Sequence, residues 1–125
     1  MTQDSVAVGR KIKELREARK ATDPRFSLRR FAEAVELSPT FISRLENGTG
    51  VLPKPKNLQR IAEALGVEPR ELFELAQRVE PQVTELLVQK PAWADFLRTA
   101  RSRGLSAEDA QRIIDDHFLP SEDEA

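Results

Sequence analysis

The 125-residue chain contains no cysteine and a single histidine, His117. The first absence excludes disulfides, thiol catalysis and thiolate metal sites, and makes a reducing cytoplasm the expected compartment. The second excludes a metal site built from several histidines. No apolar run approaches the ~18 residues of a membrane span. The opening MTQDSVA lacks both the basic start and the apolar stretch of a signal peptide. Glycine is sparse as well, and no glycine-rich phosphate loop or nucleophile arrangement is visible. The carboxylates have basic neighbours three and four residues away, as solvated ion pairs do. No enzymatic activity and no cofactor are implied.

What is present is charge, and it is unevenly placed. The formal net charge of −1 combines a first half, residues 1–66, with 13 Lys/Arg against 8 Asp/Glu, and a second half with 7 against 13. A basic module joined to an acidic one suggests an anion-binding unit coupled to something else, although ordinary solvated helix faces produce the same count.

Apolar residues recur at three and four rather than at two, so the chain reads as all-α. Residues 5–20 place Val8, Ile12 and Leu15 on one stripe. After the polar break ATDPRF, Ser27 caps a second helix with Leu28, Phe31, Ala32 and Val35 inward. Ser38 caps a third, with Pro39 at its first position, where a missing N–H costs nothing. Asn47 and Gly48 end it, and the proline-interrupted TGVLPKPK cannot continue it. A fourth helix over 56–65 buries Leu58, Ile61, Ala62 and Leu65. A fifth over 69–79 buries Leu72, Phe73 and Ala76.

Pro81 restarts the chain with a short helix, and Lys90-Pro91 marks a further break. Two helices in hairpin arrangement follow. The first carries Trp93, Phe96, Leu97 and Ala100; Gly104 turns the chain; Ser106 and Asp109 form a capping-box pattern; the second carries Ala110, Ile113, Ile114 and Phe118. A two-helix hairpin cannot bury both stripes, so this surface requires either the preceding bundle or another chain. His117 lies near the same face, where packing or partial exposure is its expected role. The expected organisation is 1–80 as a helical-bundle domain, 81–119 as an oligomerisation or partner-binding segment and 120–125 as a disordered acidic tail.

Residues 28–45 have the spacing of a helix-turn-helix, with Ala32 as the small residue that lets the two helices approach. Through IKELREARK, SLRRFAEAVELSPTFISRLENG and LQRIAEALGVEPRELFEL, the stretch from Val8 to Leu75 resembles the phage-repressor or Cro-like (XRE) family of DNA-binding regulators. The resemblance implies a five-helix DNA-binding bundle followed here by the hairpin. Two departures stand out. Glu36 occupies a turn position usually held by glycine, and the ATDPRF loop is longer than usual, bringing Arg25 toward the DNA backbone or forming a plain surface insertion.

In such a family the third helix enters the major groove, so Pro39, Thr40, Ser43 and Arg44 stand where base contacts occur. Arg44 can donate two hydrogen bonds to guanine, and the Thr40 methyl can meet a thymine methyl. Phosphate contacts fall to Arg16, Arg29, Arg30, Ser38, Asn47, Thr49, Lys54 and Lys56. The resemblance also pairs Arg16 with Glu46 as a structural ion pair that holds the recognition helix. WADFLRTARSRGLSAEDAQRIIDDHF is in turn similar to the dimerisation hairpin of SinR-type repressors. That similarity implies a homodimer through Trp93, Phe96, Leu97, Leu105, Ile113, Ile114 and Phe118. The resulting expectation is a dimeric repressor bound to a double-stranded operator. The alternative is an antitoxin or interaction regulator whose hairpin binds an antirepressor or toxin.

Overall fold

In the computed structural model, which describes residues 3–118, five of the chain's eight prolines each open a helix. A proline at the first helical position sacrifices no hydrogen bond and stops the helix from growing backward, so these residues set the element boundaries. The helices are α1 Gln3–Lys20, α2 Leu28–Ala34, α3 Pro39–Glu46, α4 Pro55–Leu65, α5 Pro69–Ala76, α6 Pro81–Gln89, α7 Pro91–Ser102 and α8 Ala107–Phe118. A 3-10 turn, Pro24–Phe26, lies between α1 and α2. The chain is all-α, with no strand among the described residues. It forms two compact units, Met1–Thr84 and Glu85–Ala125, and the division falls within α6. The tail at 120–125 lies outside the described residues.

In the first unit α1 is the common support, packing against α3, α4, α5 and the 3-10 turn. Its Val8 and Ile12 are fully buried together with Phe31, Ala32 and Val35, Ile42 and Leu45, the four apolar residues of α4, and Leu72, Phe73 and Ala76 of α5. Leu15 and Leu28 are only partly buried against this core. The ATDPRF break contains the 3-10 turn, whose Phe26 ring stacks on Phe31 at 6.4 Å between centroids.

The turn joining α2 to α3 depends on Glu36, which adopts a left-handed φ of 59°. That reversal lets the Leu37 N–H donate to the Ala32 carbonyl at 3.0 Å, closing α2 and releasing the chain toward Ser38. Exposed Glu36 also pairs with Arg60 at 2.6 Å.

One element departs from the sequence expectations and one residue gains a reason. Helix α5 ends at Ala76 rather than continuing to Val79. Gln77 turns left-handed at φ 54°, and the Arg78 N–H donates to the Phe73 carbonyl at 2.9 Å. Val79 is exposed, so three more helical residues there would add no buried apolar surface. Gly9, which the helical pattern leaves unexplained, lies fully inside α1, where glycine costs about 1 kcal/mol relative to alanine. The reason is the neighbouring helix: a Cβ on Gly9 would stand 1.8 Å from the carbonyl oxygen of Leu45. The backbones of α1 and α3 therefore approach more closely than any side chain permits.

In the second unit, α7 and α8 are joined by a turn in which Gly104 has φ 74°. The Ser106 hydroxyl accepts from the Asp109 N–H at 3.1 Å, and the Asp109 carboxylate accepts from the Ser106 N–H at 3.0 Å. These two hydrogen bonds form a closed capping box. The hydrogen bond from the Ser106 backbone holds the Asp109 carboxyl below its ordinary pKa. Neither helix has a buried residue. The two helices line a groove of about 320 Å³ whose walls include Trp93, Phe96, Leu105, Ile113, Ile114 and Phe118, with Trp93 edge-on to Phe96.

Glycine content should therefore act with opposite signs at two places. Gly9→Ala is expected to lower stability by about 1–3 kcal/mol, as overpacking does, although alanine is the better helix former. Gln77→Gly is expected to raise it by about 0.5–1 kcal/mol by relieving the left-handed strain. Urea unfolding at unchanged slope measures both.

Candidate nucleic-acid interface

Helix α3 forms because its two ends are specified locally and its inner face is needed by the core. The Ser38 hydroxyl accepts from the Phe41 N–H at 3.0 Å, Pro39 takes the first position, and Ile42, Leu45 and Glu46 are buried. Pro39, Thr40, Arg44 and Asn47 face outward, while Ser43 is half-buried. The outward row is not wholly without local partners. Asn47 donates its Nδ2 to the Ser43 hydroxyl at 3.4 Å, a long one-turn contact that helps to align both side chains.

The other phosphate candidates surround this helix. Arg29 and Arg30 lie in the first turn of α2, Thr49 follows α3, and Lys54 and Lys56 flank the start of α4; all are exposed. Among the described residues, Arg29, Arg30, Arg44, Lys54 and Lys56 have no carboxylate within salt-bridge distance. Pairing is mixed in the rest of the chain: Arg10, Arg19, Arg101 and Arg103 form no ion pair among the described residues, whereas Arg60, Arg70, Arg98 and Arg112 each face an Asp or Glu. Arg25 is also engaged, its Nη2 lying 2.7 Å from Asp23, whose carboxyl these hydrogen bonds hold below its ordinary pKa. The long loop thus satisfies its own arginine. Five exposed cations without an ion pair thus lie on α2, α3 and the start of α4, where an approaching polyanion would meet them.

Arg16 behaves differently from the other candidates because it is buried. Its Nε and Nη2 donate to the two carboxylate oxygens of Glu46 at 2.7 and 2.8 Å, and its Nη1 donates to the Phe26 carbonyl at 3.0 Å. Both side chains are less than one-tenth exposed. The hydrogen bonds to Glu46 raise the Arg16 pKa above its ordinary value, outweighing the opposing effect of burial. One guanidinium thus ties α1 to the last turn of α3 and to the 3-10 turn. Two of its five N–H groups remain for another acceptor.

Residues 7–76, more than half of the chain, match the helix-turn-helix domain family. The chain belongs to that family. No match was found among curated proteins or among solved structures. A helix-turn-helix domain supports a DNA-binding regulator, and the motif itself is α2, the Glu36 turn and α3. The matched region also contains Gly9 and Gly50, which the motif spacing does not reveal. The available signal was a glycine in the middle of an otherwise regular helix, which is costly unless another backbone needs the space. No helix among the described residues is long and apolar enough to cross a membrane.

The buried pair has a measurable consequence. Glu46→Gln leaves Arg16 charged, enclosed and half-paired, and is expected to cost about 3–5 kcal/mol. Replacing both partners together, Arg16→Met with Glu46→Leu, should cost less than the single change. Chemical denaturation of the three proteins tests this order.

Proposed function

We propose that this chain is a sequence-specific transcriptional regulator of the phage-repressor or Cro-like (XRE) kind, a cytoplasmic repressor that places α3 in the major groove of its operator. The observation that carries the reading is the outward face of α3: an exposed Arg44 without a carboxylate partner, beside Thr40 and surrounded by equally unpaired cations. Arg44 reads guanine through O6 and N7, and Pro39, Thr40 and Ser43 complete the base-facing set. Arg29, Arg30, Ser38, Asn47, Thr49, Lys54 and Lys56 hold the phosphates on either side, and Arg16 can offer its remaining N–H groups to another.

In this reading the hairpin of α7 and α8 joins two copies. All seven of its apolar contact candidates, Trp93, Phe96, Leu97, Leu105, Ile113, Ile114 and Phe118, are exposed within their own unit, and a SinR-type homodimer covers them. Two recognition helices then reach half-sites about 34 Å apart. The same surface favours a second reading, in which the hairpin binds an unrelated protein, either a toxin or an antirepressor.

Fluorescence anisotropy with the duplex upstream of the protein's own gene, against a scrambled duplex, separates these roles. Preference that survives near-physiological salt supports the regulator. Equal binding that vanishes with salt leaves only electrostatic attraction. Arg44→Ala is expected to lose about 1–3 kcal/mol on the preferred site and little on random DNA, while Lys54→Ala weakens both and reduces the salt slope by about 1. Equal losses on both duplexes for Arg44→Ala contradict its base-reading role.

The hairpin is tested by Ile113→Asp, followed by sedimentation. A chain that is dimeric as wild type and monomeric as the variant supports the homodimer. A wild-type chain that is monomeric at every concentration removes that arrangement and leaves the unrelated partner.

A further inference from the structure

Val51 is a β-branched residue 70% exposed in the loop after the recognition helix, and the core gives no reason for its position. The loop that displays it is rigidly held. The Thr49 and Gly50 N–H groups both donate to the Arg44 carbonyl, at 2.9 and 3.0 Å, and the Thr49 hydroxyl reaches the same oxygen at 3.3 Å. Gly50 lies so close to α3 that a Cβ there would stand 2.9 Å from the Leu45 nitrogen. Two residues beyond Val51, Pro53 is fully buried, which anchors the other end. Val51 is therefore held in place against the side of α3, with Thr40, Phe41 and Arg44 among its neighbours around a hollow of about 290 Å³.

The chemistry of that hollow is specific. Two of its three hydroxyls have internal roles, since Ser38 caps α3 and Thr49 is tied to the Arg44 carbonyl. Its remaining walls are Val51, the half-buried Phe41, Gly50 and Thr40, whose side chain carries a methyl, with Arg44 beside them and no carboxylate partner for it. An apolar recess next to a bidentate donor matches the major-groove edge of a thymine adjacent to a guanine, because the C5 methyl is the one apolar group exposed there.

We propose that Val51 is a specificity-determining residue outside the recognition helix, closing with Thr40 a pocket for a pyrimidine C5 methyl beside the guanine read by Arg44. This rests on the DNA-reading role of α3 proposed above and adds a second base position to it. The pocket recognises the methyl, so 5-methylcytosine fills it as thymine does, whereas uracil and cytosine leave it empty.

The test uses the full chain. A preferred duplex is selected from random sequences, and each thymine in it is then replaced singly by deoxyuridine. The expected result is one position, next to the guanine to which Arg44→Ala becomes indifferent, at which removing the methyl weakens wild-type binding about fourfold, as for one buried carbon. Val51→Ala should bind the thymine duplex with a similar loss and show no further loss with deoxyuridine. At the same position, 5-methylcytosine should bind more tightly than cytosine to wild type and equally to the variant. Identical deoxyuridine sensitivity in wild type and Val51→Ala overturns the assignment while leaving the regulator reading intact. Selection of no preferred sequence at all removes both. Because Val51 is exposed, its substitution should leave the melting temperature unchanged, which separates a lost contact from a lost fold.

Discussion

A buried guanidinium needs its charge met and its donors engaged, and for Arg16 the Glu46 carboxylate and one carbonyl take three of the five N–H groups, with the Glu17 carboxylate 4.0 Å away. Arg16 of α1 is held bidentately by Glu46 in the last turn of α3 and by the Phe26 carbonyl of the 3-10 turn. Such a pair contributes little net stability, because desolvating both groups costs about as much as their attraction returns. Its effect is positional. The two oxygens of Glu46 accept only from a correctly oriented guanidinium, so α3 can neither rotate nor slide along α1 without leaving a buried charge unmatched. The backbone approach at Gly9 applies the same constraint sterically. Together they hold the inner face of α3 against a rigid support, which leaves the outer face free to carry polar side chains.

That division of faces lets α3 display Arg44 without a carboxylate partner. Ion pairs occur on both units, as Arg60 meets Glu36 and Arg98 meets Asp95, but exposed arginines such as Arg10, Arg101 and Arg103 have none among the described residues. Arg29, Arg30 and Arg44 belong with the latter, as do Lys54 and Lys56. Exposed ion pairs contribute little to stability, so leaving the cations unpaired costs the fold little and preserves a positive surface. The net charge of −1 conceals this arrangement, because the acidic excess is in the other half of the chain.

Much of the architecture was legible from local chemistry. Prolines at the first helical position, serine caps at Ser27 and Ser38, and the Ser106–Asp109 box act within one turn of helix, so the residues that cause them are adjacent in sequence. The helix-turn-helix family was legible for a related reason, since α2, the turn and α3 are consecutive and their spacing is short. The end of α5 was not, because the helical pattern continues through Val79 and only the absence of anything for Val79 to pack against ends the helix at Ala76. The Asn47–Ser43 contact was missed because helical spacing says which side chains are neighbours but not which rotamers they adopt.

The sequence by itself determined the all-α class, the approximate helix starts, most of the core residues and the helix-turn-helix family, because periodicity, capping and proline geometry operate over a few neighbouring residues. Only the tertiary structure decided what Gly9 is for, which arginines are neutralised and which remain unpaired, and that Val51 stands beside Thr40 and Arg44. Those facts depend on distances between groups as far apart in the chain as residues 9 and 45, and such distances arise when the core closes around α1. No local rule contains them.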